Sequence, residues 1–149
     1  MAAAPGPVLF AYDGSDLAQY AIAESGRQLA GGRDAIVLCV WQPGAVGFLP
    51  VGEEPFDALD ALGVEKAAEA TAAHGASLAE HGGFRAESVT VEAAPTWKGI
   101  VQVAEERGAS LVVLGSHRRS GISGRLLGSV AAGVVGHTAL SVLVVHRQD

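Results

Sequence analysis

The chain has 149 residues, of which 49% are hydrophobic and only 5% aromatic, so its core must be built mainly from Ala, Val, Leu and Ile. Lys and Arg total 10 against 16 Asp and Glu, and the formal net charge of −6 disfavours nucleic acid and anionic membranes as partners. This length fits one domain and argues against a second.

Cys39 is the only cysteine, and its apolar surroundings, IVLCV, favour a buried and inert thiol. A chain with one cysteine cannot form an internal disulfide, which fits a reducing compartment. The N-terminal MAAAPGP lacks the basic and apolar regions of a secretion signal, and no apolar run is long enough to span a bilayer. We therefore expect a cytoplasmic protein with no membrane association and a flexible tail at residues 1–6.

Apolar runs alternate with helical patterns along the first part of the chain. VLFAY at 8–12 and AIVLCV at 35–40 are predicted strands, and a helix is predicted over 17–30, after the turn at 13–15. Prolines and glycines predict irregular structure over 42–55, which is either a lid over a site or a surface excursion.

The region after this segment is rich in Ala, Glu and Leu, which predicts a long helix over 56–81. The expected buried face of this helix carries Leu59, Leu62, Ala70, Ala73 and Leu78. The alternating ESVTV at 87–91 predicts a strand at an edge of the sheet. Pro95 and Thr96 then begin a short predicted helix that ends at Gly108.

The most informative stretch reads LVVLGSHRRSGISGRLLGSV. It predicts a buried strand over 111–114, a polar glycine loop over 115–128 and a helix over 129–137, and VLVV at 142–145 is the last predicted strand. Continuous apolar strands separated by helices indicate an α/β fold, an open parallel sheet with helices on both faces. We count five strands and four helices and no domain boundary.

Two polar loops are expected to meet at one edge of this sheet. If the five strands take the order 3-2-1-4-5, the first and fourth are neighbours, and ligands bind at such a switch point. The glycine loop and the helix after it would attract phosphate, and the Asp13 carboxylate would accept hydrogen bonds from a base or ribose. Two alternatives remain open: a solvated loop in which Ser129 is only a helix N-cap, and an Asp13 that merely caps the first helix.

Side chains in the glycine loop strengthen the phosphate hypothesis. Ser116 and Ser129 can donate hydroxyl hydrogen bonds, and three arginines offer cationic groups suited to phosphate oxygens, namely Arg118, Arg119 and Arg125. These arginines form a local basic patch on an acidic chain, which favours a small anion over a polyanion.

Other site types fit the sequence less well. Neither Gly-x4-Gly-Lys-(Ser/Thr) nor, after the first strand, Gly-x-Gly-x2-Gly is present. A receiver domain needs an acidic residue where Ala93 or Ala94 stands and a lysine where His146 stands. His74 and His81 are two helical turns apart, too distant to form a metal site alone. We therefore assign no catalytic and no metal-ligating residue.

In combination, VLFAYDGS, IVLCVW, LVVLGSH, LLGSV and VLVV resemble the nucleotide-binding branch of the universal stress protein family, over about residues 8–146. The resemblance implies a Rossmann-like, adenine nucleotide alpha hydrolase-like fold in which 1–149 form a single universal stress protein domain. The family pattern Gly-x2-Gly-x9-Gly-(Ser/Thr) wraps the phosphates of ATP, and Gly115, Gly128 and Ser129 match it. Arg118 stands in place of the second glycine, where it either pairs with a phosphate or obstructs it.

The same resemblance implies the remaining site residues. Asp13 would contact the base or ribose, Ala11 and Val40 would line the adenine pocket, and Ser116 and Val130 would contribute backbone groups. The implied ligand is ATP with Mg²⁺ or Mn²⁺.

The resemblance also implies a homodimer that pairs through the last strand and so covers the apolar edge at Val142 and Val144. Our first hypothesis is a cytoplasmic stress-response homodimer that binds ATP as a regulatory ligand and is not an enzyme. The alternatives are a nucleotide-free dimeric adaptor, in which Arg118 blocks the phosphate site, and a weak ATPase.

Overall fold

The computed structural model describes residues 5–43, 45–46, 49–50, 58–117 and 127–147. Its elements, in chain order, are β1 (Val8–Ala11), α1 (Asp16–Gln28), β2 (Asp34–Gln42), β3 (Ala45–Val46), β4 (Leu49–Pro50), α2 (Ala58–His81), β5 (Arg85–Glu92), α3 (Thr96–Glu106), β6 (Leu111–His117), α4 (Ser129–His137) and β7 (Ser141–Arg147). Each long predicted element is present, although several bounds differ by two or three residues.

Five long strands form a parallel sheet in the order β5-β2-β1-β6-β7. This is the predicted order 3-2-1-4-5, and the predicted fold class is confirmed. Successive side chains of a strand point to opposite faces of the sheet. Because these strands are apolar on both faces, helices cover both. Phe10 packs with α1 and α2, whereas its neighbour Leu9 packs with α3 and α4.

The buried face of α2 is not the predicted one. Leu62 is 56% exposed, Ala70 and Ala73 are exposed, and only Leu78 of the predicted set packs against the core. The side chain of Leu59 lies outside the described residues. The buried positions of this helix are small or β-branched: Val64, Ala68, Ala72, Gly75 and Ala79.

Small residues occupy this face because α2 lies very close to the sheet. A Cβ atom added at Gly75 would lie 2.6 Å from both Tyr12 Cδ1 and Val37 Cγ1, well inside van der Waals contact. We predicted that leucine side chains of this helix would face the core. A helix this close to the sheet instead buries mainly small side chains.

The segment predicted to be irregular contains two short strands. β3 pairs antiparallel with the end of β2, with Trp41 opposite Val46, and β4 pairs antiparallel with β3. Two residues separate Gln42 from Ala45, the loop length typical of a tight hairpin. Residues 44, 47–48 and 51–57 lie outside the described residues, so the choice between a lid and a surface excursion stays a prediction.

The strand that precedes the glycine loop is longer than predicted. β6 continues through Gly115 and Ser116 to His117, because β7 pairs with it along its whole length, ending with His117 opposite Arg147. The sequence placed Gly115 at the start of the loop, but parallel pairing with Val145 of β7 keeps it in the sheet.

The borders of the sheet agree with their sequence patterns. Among the described strands β5 pairs only with β2, as its alternating pattern predicted.

The segment before β1 is held at the amino-terminal end of the sheet. The Gly6 carbonyl accepts hydrogen bonds from Ser110 Oγ at 2.7 Å and from Arg33 at 3.3 Å. Gly6 is thus fixed, while residues 1–4 lie outside the described residues. Of the helices described, none has the length and apolar character to cross a membrane.

Candidate functional site

A cavity of about 600 Å³ lies at the carboxyl ends of β1, β2 and β6, where the first turns of α1, α3 and α4 also meet. Of the nine residues predicted for the site, eight line it: Ala11, Asp13, Val40, Gly115, Ser116, Gly128, Ser129 and Val130. The ninth, Arg118, lies outside the described residues, as do Arg119 and Arg125. The strand order brings these distant segments together, since β1 lies between β2 and β6.

Asp13 is the only charged side chain among the described residues that line the cavity. Its Oδ1 accepts the backbone N–H of Ser15 at 2.9 Å, which fixes the turn and leaves the second carboxylate oxygen without a protein partner among the described residues. Ser15 Oγ accepts the N–H of Ala18 at 3.1 Å and is the N-cap of α1. The alternative in which Asp13 caps α1 is therefore wrong, and this carboxylate can accept a hydrogen bond from a ligand.

Tyr12 holds the Asp13 turn from the opposite face of the sheet. Its hydroxyl shares a hydrogen bond of 2.7 Å with Nδ1 of His74 on α2. Burial, followed by the nearby Asp13 carboxylate and Cys39, raises the pKa of Tyr12. Tyr12 is therefore neutral at physiological pH, and α2 and β1 together position the turn.

The N-terminus of α4 faces the cavity. Its N-cap residue is Gly128, no described side chain caps the helix end, and the first turn holds no acidic residue. Ser129 is the first helical residue and is exposed, so the alternative in which Ser129 is the N-cap is wrong. The unpaired N–H groups and positive dipole end of a helix attract anions.

The two glycines of the predicted phosphate loop play different parts in the structure. A Cβ at Gly128 would meet no atom of the described residues within 4 Å, so among these residues it borders open space. A Cβ at Gly115 would lie 2.8 Å from Leu17 Cγ, so Gly115 allows α1 to approach β6. Only the backbone of Gly115 is available to a ligand.

The wall between Asp13 and α4 is apolar and contains residues that the sequence did not indicate. Leu38, Ile100 and Leu114 are buried and line it with Ala11 and Val40. Such a slot suits the flat face of an aromatic base.

Thr96 also lines the cavity and is 9% exposed, and its Oγ1 accepts a long hydrogen bond of 3.4 Å from Gln42 Nε2. Thr96 and Ile100 were not predicted as site residues. The sheet order could have revealed them, since α3 begins beside the carboxyl end of β2.

An aromatic contact joins the two helices that wall the cavity. The ring of Trp97 on α3 stacks on that of His137 on α4, with centroids 3.9 Å apart and planes 16° apart. Gly133 makes room for this contact, because a Cβ there would clash with the Trp97 ring. The stack therefore joins the first turn of α3 to the last residue of α4.

The described part of the chain contains no group of three or more His, Cys, Asp or Glu side chains that could hold a metal ion. His74 bonds to Tyr12, and His81 Nδ1 lies 2.7 Å from the Ser77 carbonyl oxygen.

Known proteins share the sequence pattern and the fold of this chain. The model of the universal stress protein family matches residues 6–146. A universal stress protein of Methanocaldococcus jannaschii is 34% identical over 67 residues, which span 45% of this chain and 41% of that relative.

Solved structures extend the similarity to nearly the whole chain. A universal stress protein in complex with cAMP is 27% identical, with a TM-score of 0.68, over 97% of this chain and 98% of that one. A universal stress protein from Archaeoglobus fulgidus in complex with dAMP is 23% identical, with a TM-score of 0.60, over 93% of this chain and 96% of that one. The second comparison shows a shared fold.

Proposed function

This chain belongs to the universal stress protein family, and from that premise we propose that its cavity binds an adenine nucleotide, ATP, as a regulatory ligand. The observation that carries the proposal is the placement of two groups at two sides of one cavity, with an apolar slot between them. One is a carboxylate oxygen of Asp13 and the other is the N-terminus of α4, and no described side chain bonds to either. The volume of about 600 Å³ lies in the range typical of small-molecule sites.

Each part of ATP has a chemical counterpart in the cavity. The adenine fits the apolar slot beside Ala11 and Val40, and the Asp13 carboxylate accepts hydrogen bonds from the ribose or the base. The phosphates lie against the first turn of α4, at Gly128 and Ser129. The cAMP complex of the 27% identical structure supports an adenine nucleotide as the ligand.

The proposed cation, Mg²⁺ or Mn²⁺, is held through the phosphate oxygens, since the described residues offer no cluster of metal ligands. We further propose that residues 1–149 form one cytoplasmic domain that acts in stress response as a homodimer paired through β7. With a net charge of −6, nucleic acid is not a proposed partner.

The direct test is to denature freshly purified protein and identify any released small molecule by chromatography and mass spectrometry. Recovery of stoichiometric ATP is the expected result. If no nucleotide is recovered and added ATP does not bind, the proposal is wrong and the nucleotide-free adaptor is favoured. Release of ADP over time from a bound-ATP sample would identify the weak ATPase instead.

A further inference from the structure

The side-chain hydroxyl of Ser116 is buried and makes no hydrogen bond to any described residue. The residue is 3% exposed, and its Oγ has no hydrogen-bond partner among the described residues. Leaving a buried hydroxyl without a partner is unfavourable, and such groups are rare in folded proteins. An unpaired group of this kind at a cavity wall indicates that its partner is a ligand.

The side chain of Ser116 leaves the sheet on the side of the cavity. Side chains alternate along β6, and Val112 and Leu114 pack with α3 and α4. Ser116 continues this series, whereas Gly115 between them faces Leu17 on α1. Ser116 also lines the cavity together with the first turn of α4.

We propose that the Ser116 hydroxyl donates a hydrogen bond to the phosphate that is attached to the ribose of the bound nucleotide. This inference rests on the proposed function. It assigns a role to the side chain, whereas the family resemblance implies only a backbone contact for this residue. In the present rotamer Oγ is shielded from water, and the three staggered χ1 positions of a serine let the hydroxyl reorient when a ligand binds.

The buried position of Ser116 indicates which phosphate of the nucleotide it contacts. Ser116 is buried on the sheet, whereas Gly128 and Ser129 are exposed at the rim of the cavity. A nucleotide whose base lies in the apolar slot therefore places its first phosphate near Ser116, and the later phosphates extend toward the rim. A hydroxyl donor and the N–H groups of α4 both favour an anion at this position.

The test compares ligands with and without that phosphate. We would measure the affinities of adenosine, AMP and MgATP for the wild-type protein and for Ser116→Ala by calorimetry. We expect the variant to bind AMP and ATP about 10- to 100-fold more weakly, the usual range for a hydrogen bond to a charged group. Adenosine should bind both proteins equally, because it lacks the phosphate.

Ser25 provides a matched control. It is the other buried serine among the described residues whose Oγ has no partner, and it lies on α1 away from the cavity. Ser25→Ala should leave all three affinities unchanged. Without nucleotide, both variants should unfold at the wild-type temperature or higher, because each loses an unpaired buried hydroxyl. A purely structural role of Ser116 predicts a lower unfolding temperature instead.

The outcomes separate the two proposals. If the wild-type protein binds AMP and ATP but Ser116→Ala binds them equally well, the Ser116 inference is wrong and the proposed function stands. An equal loss for adenosine and AMP would also overturn it, since the hydroxyl would then act on the nucleoside. If the wild-type protein binds none of the nucleotides, both proposals fail. Should Ser116→Ala not fold, Ser116→Cys preserves the volume with a weak donor, and the same loss is expected.

Discussion

Cys39 lies at the centre of β2 with none of its surface exposed, and burial, followed by the Asp13 carboxylate, raises the pKa of its thiol to about 12. The cysteine of the unfolded chain ionises near pH 9. The thiol therefore contributes fully to the free energy of unfolding below pH 9, and this contribution is lost as the pH rises toward 12.

We predict that the free energy of unfolding of the wild-type protein falls by about 1 kcal/mol more between pH 8 and pH 10 than that of Cys39→Ala. Urea denaturation at both pH values measures the difference. Tyr12 also has a raised pKa, and because burial and Asp13 raise it more than Cys39 does, most of its effect is common to both proteins. Equal losses in the two proteins would show that Cys39 does not titrate differently on folding.

Single residues were predictable from the sequence where their role is local. Asp13 follows a strand directly, and Gly128 and Ser129 precede a helix, so short patterns placed them at the cavity. For Gly115 the sequence predicted only a phosphate-binding role. Its close approach to Leu17 was missed because that contact depends on how α1 packs against β6. Thr96 was missed because only the strand order brings α3 to the same cavity.

The element that was least predictable is α2, since its hydrophobic pattern is weak and its buried face consists of small residues. Its two glycines test this packing. Alanine favours a helix over glycine by about 1 kcal/mol. Gly63 has no atom within 4 Å of an added Cβ, whereas Gly75 has two at 2.6 Å.

We therefore predict opposite effects of the same substitution within one helix. Gly63→Ala should raise the free energy of unfolding by roughly 0.5–1 kcal/mol, because it adds helix propensity without a clash. Gly75→Ala should lower it by about 1–3 kcal/mol, because α2 must move away from Tyr12 and Val37. Chemical denaturation of both variants measures the two changes. If Gly75→Ala is as stable as the wild type, α2 does not lie as close to β1 and β2 as described.

The whole molecule has an apolar strand at one border of its sheet. Among the described strands β7 pairs only with β6, and Val142 and Val144 are half-buried there. An uncovered edge of this kind favours pairing with another strand. The alternation of strands and helices predicts the parallel sheet, whereas the assembly depends on contacts between two chains.

We predict a homodimer that Val144→Lys converts to a monomer, because a charge at the edge opposes strand pairing. Val135→Lys is the matched control, since Val135 is 47% exposed on α4 and away from the edge. Light scattering after size-exclusion chromatography gives the mass of each protein, and circular dichroism shows whether it is folded. A monomeric wild type, or a folded Val144→Lys that remains dimeric, would contradict pairing through β7.

The central claim is that the cavity between β1, β6 and α4 binds ATP, and a calorimetric titration of MgATP tests it most directly when the wild type is compared with Gly128→Val. A side chain at Gly128 enters open space beside the first turn of α4, so the variant should fold normally and lose the space for phosphate. We predict saturable heat from the wild type and none from the variant. Equal binding by both proteins, or no heat from the wild type, would contradict the account.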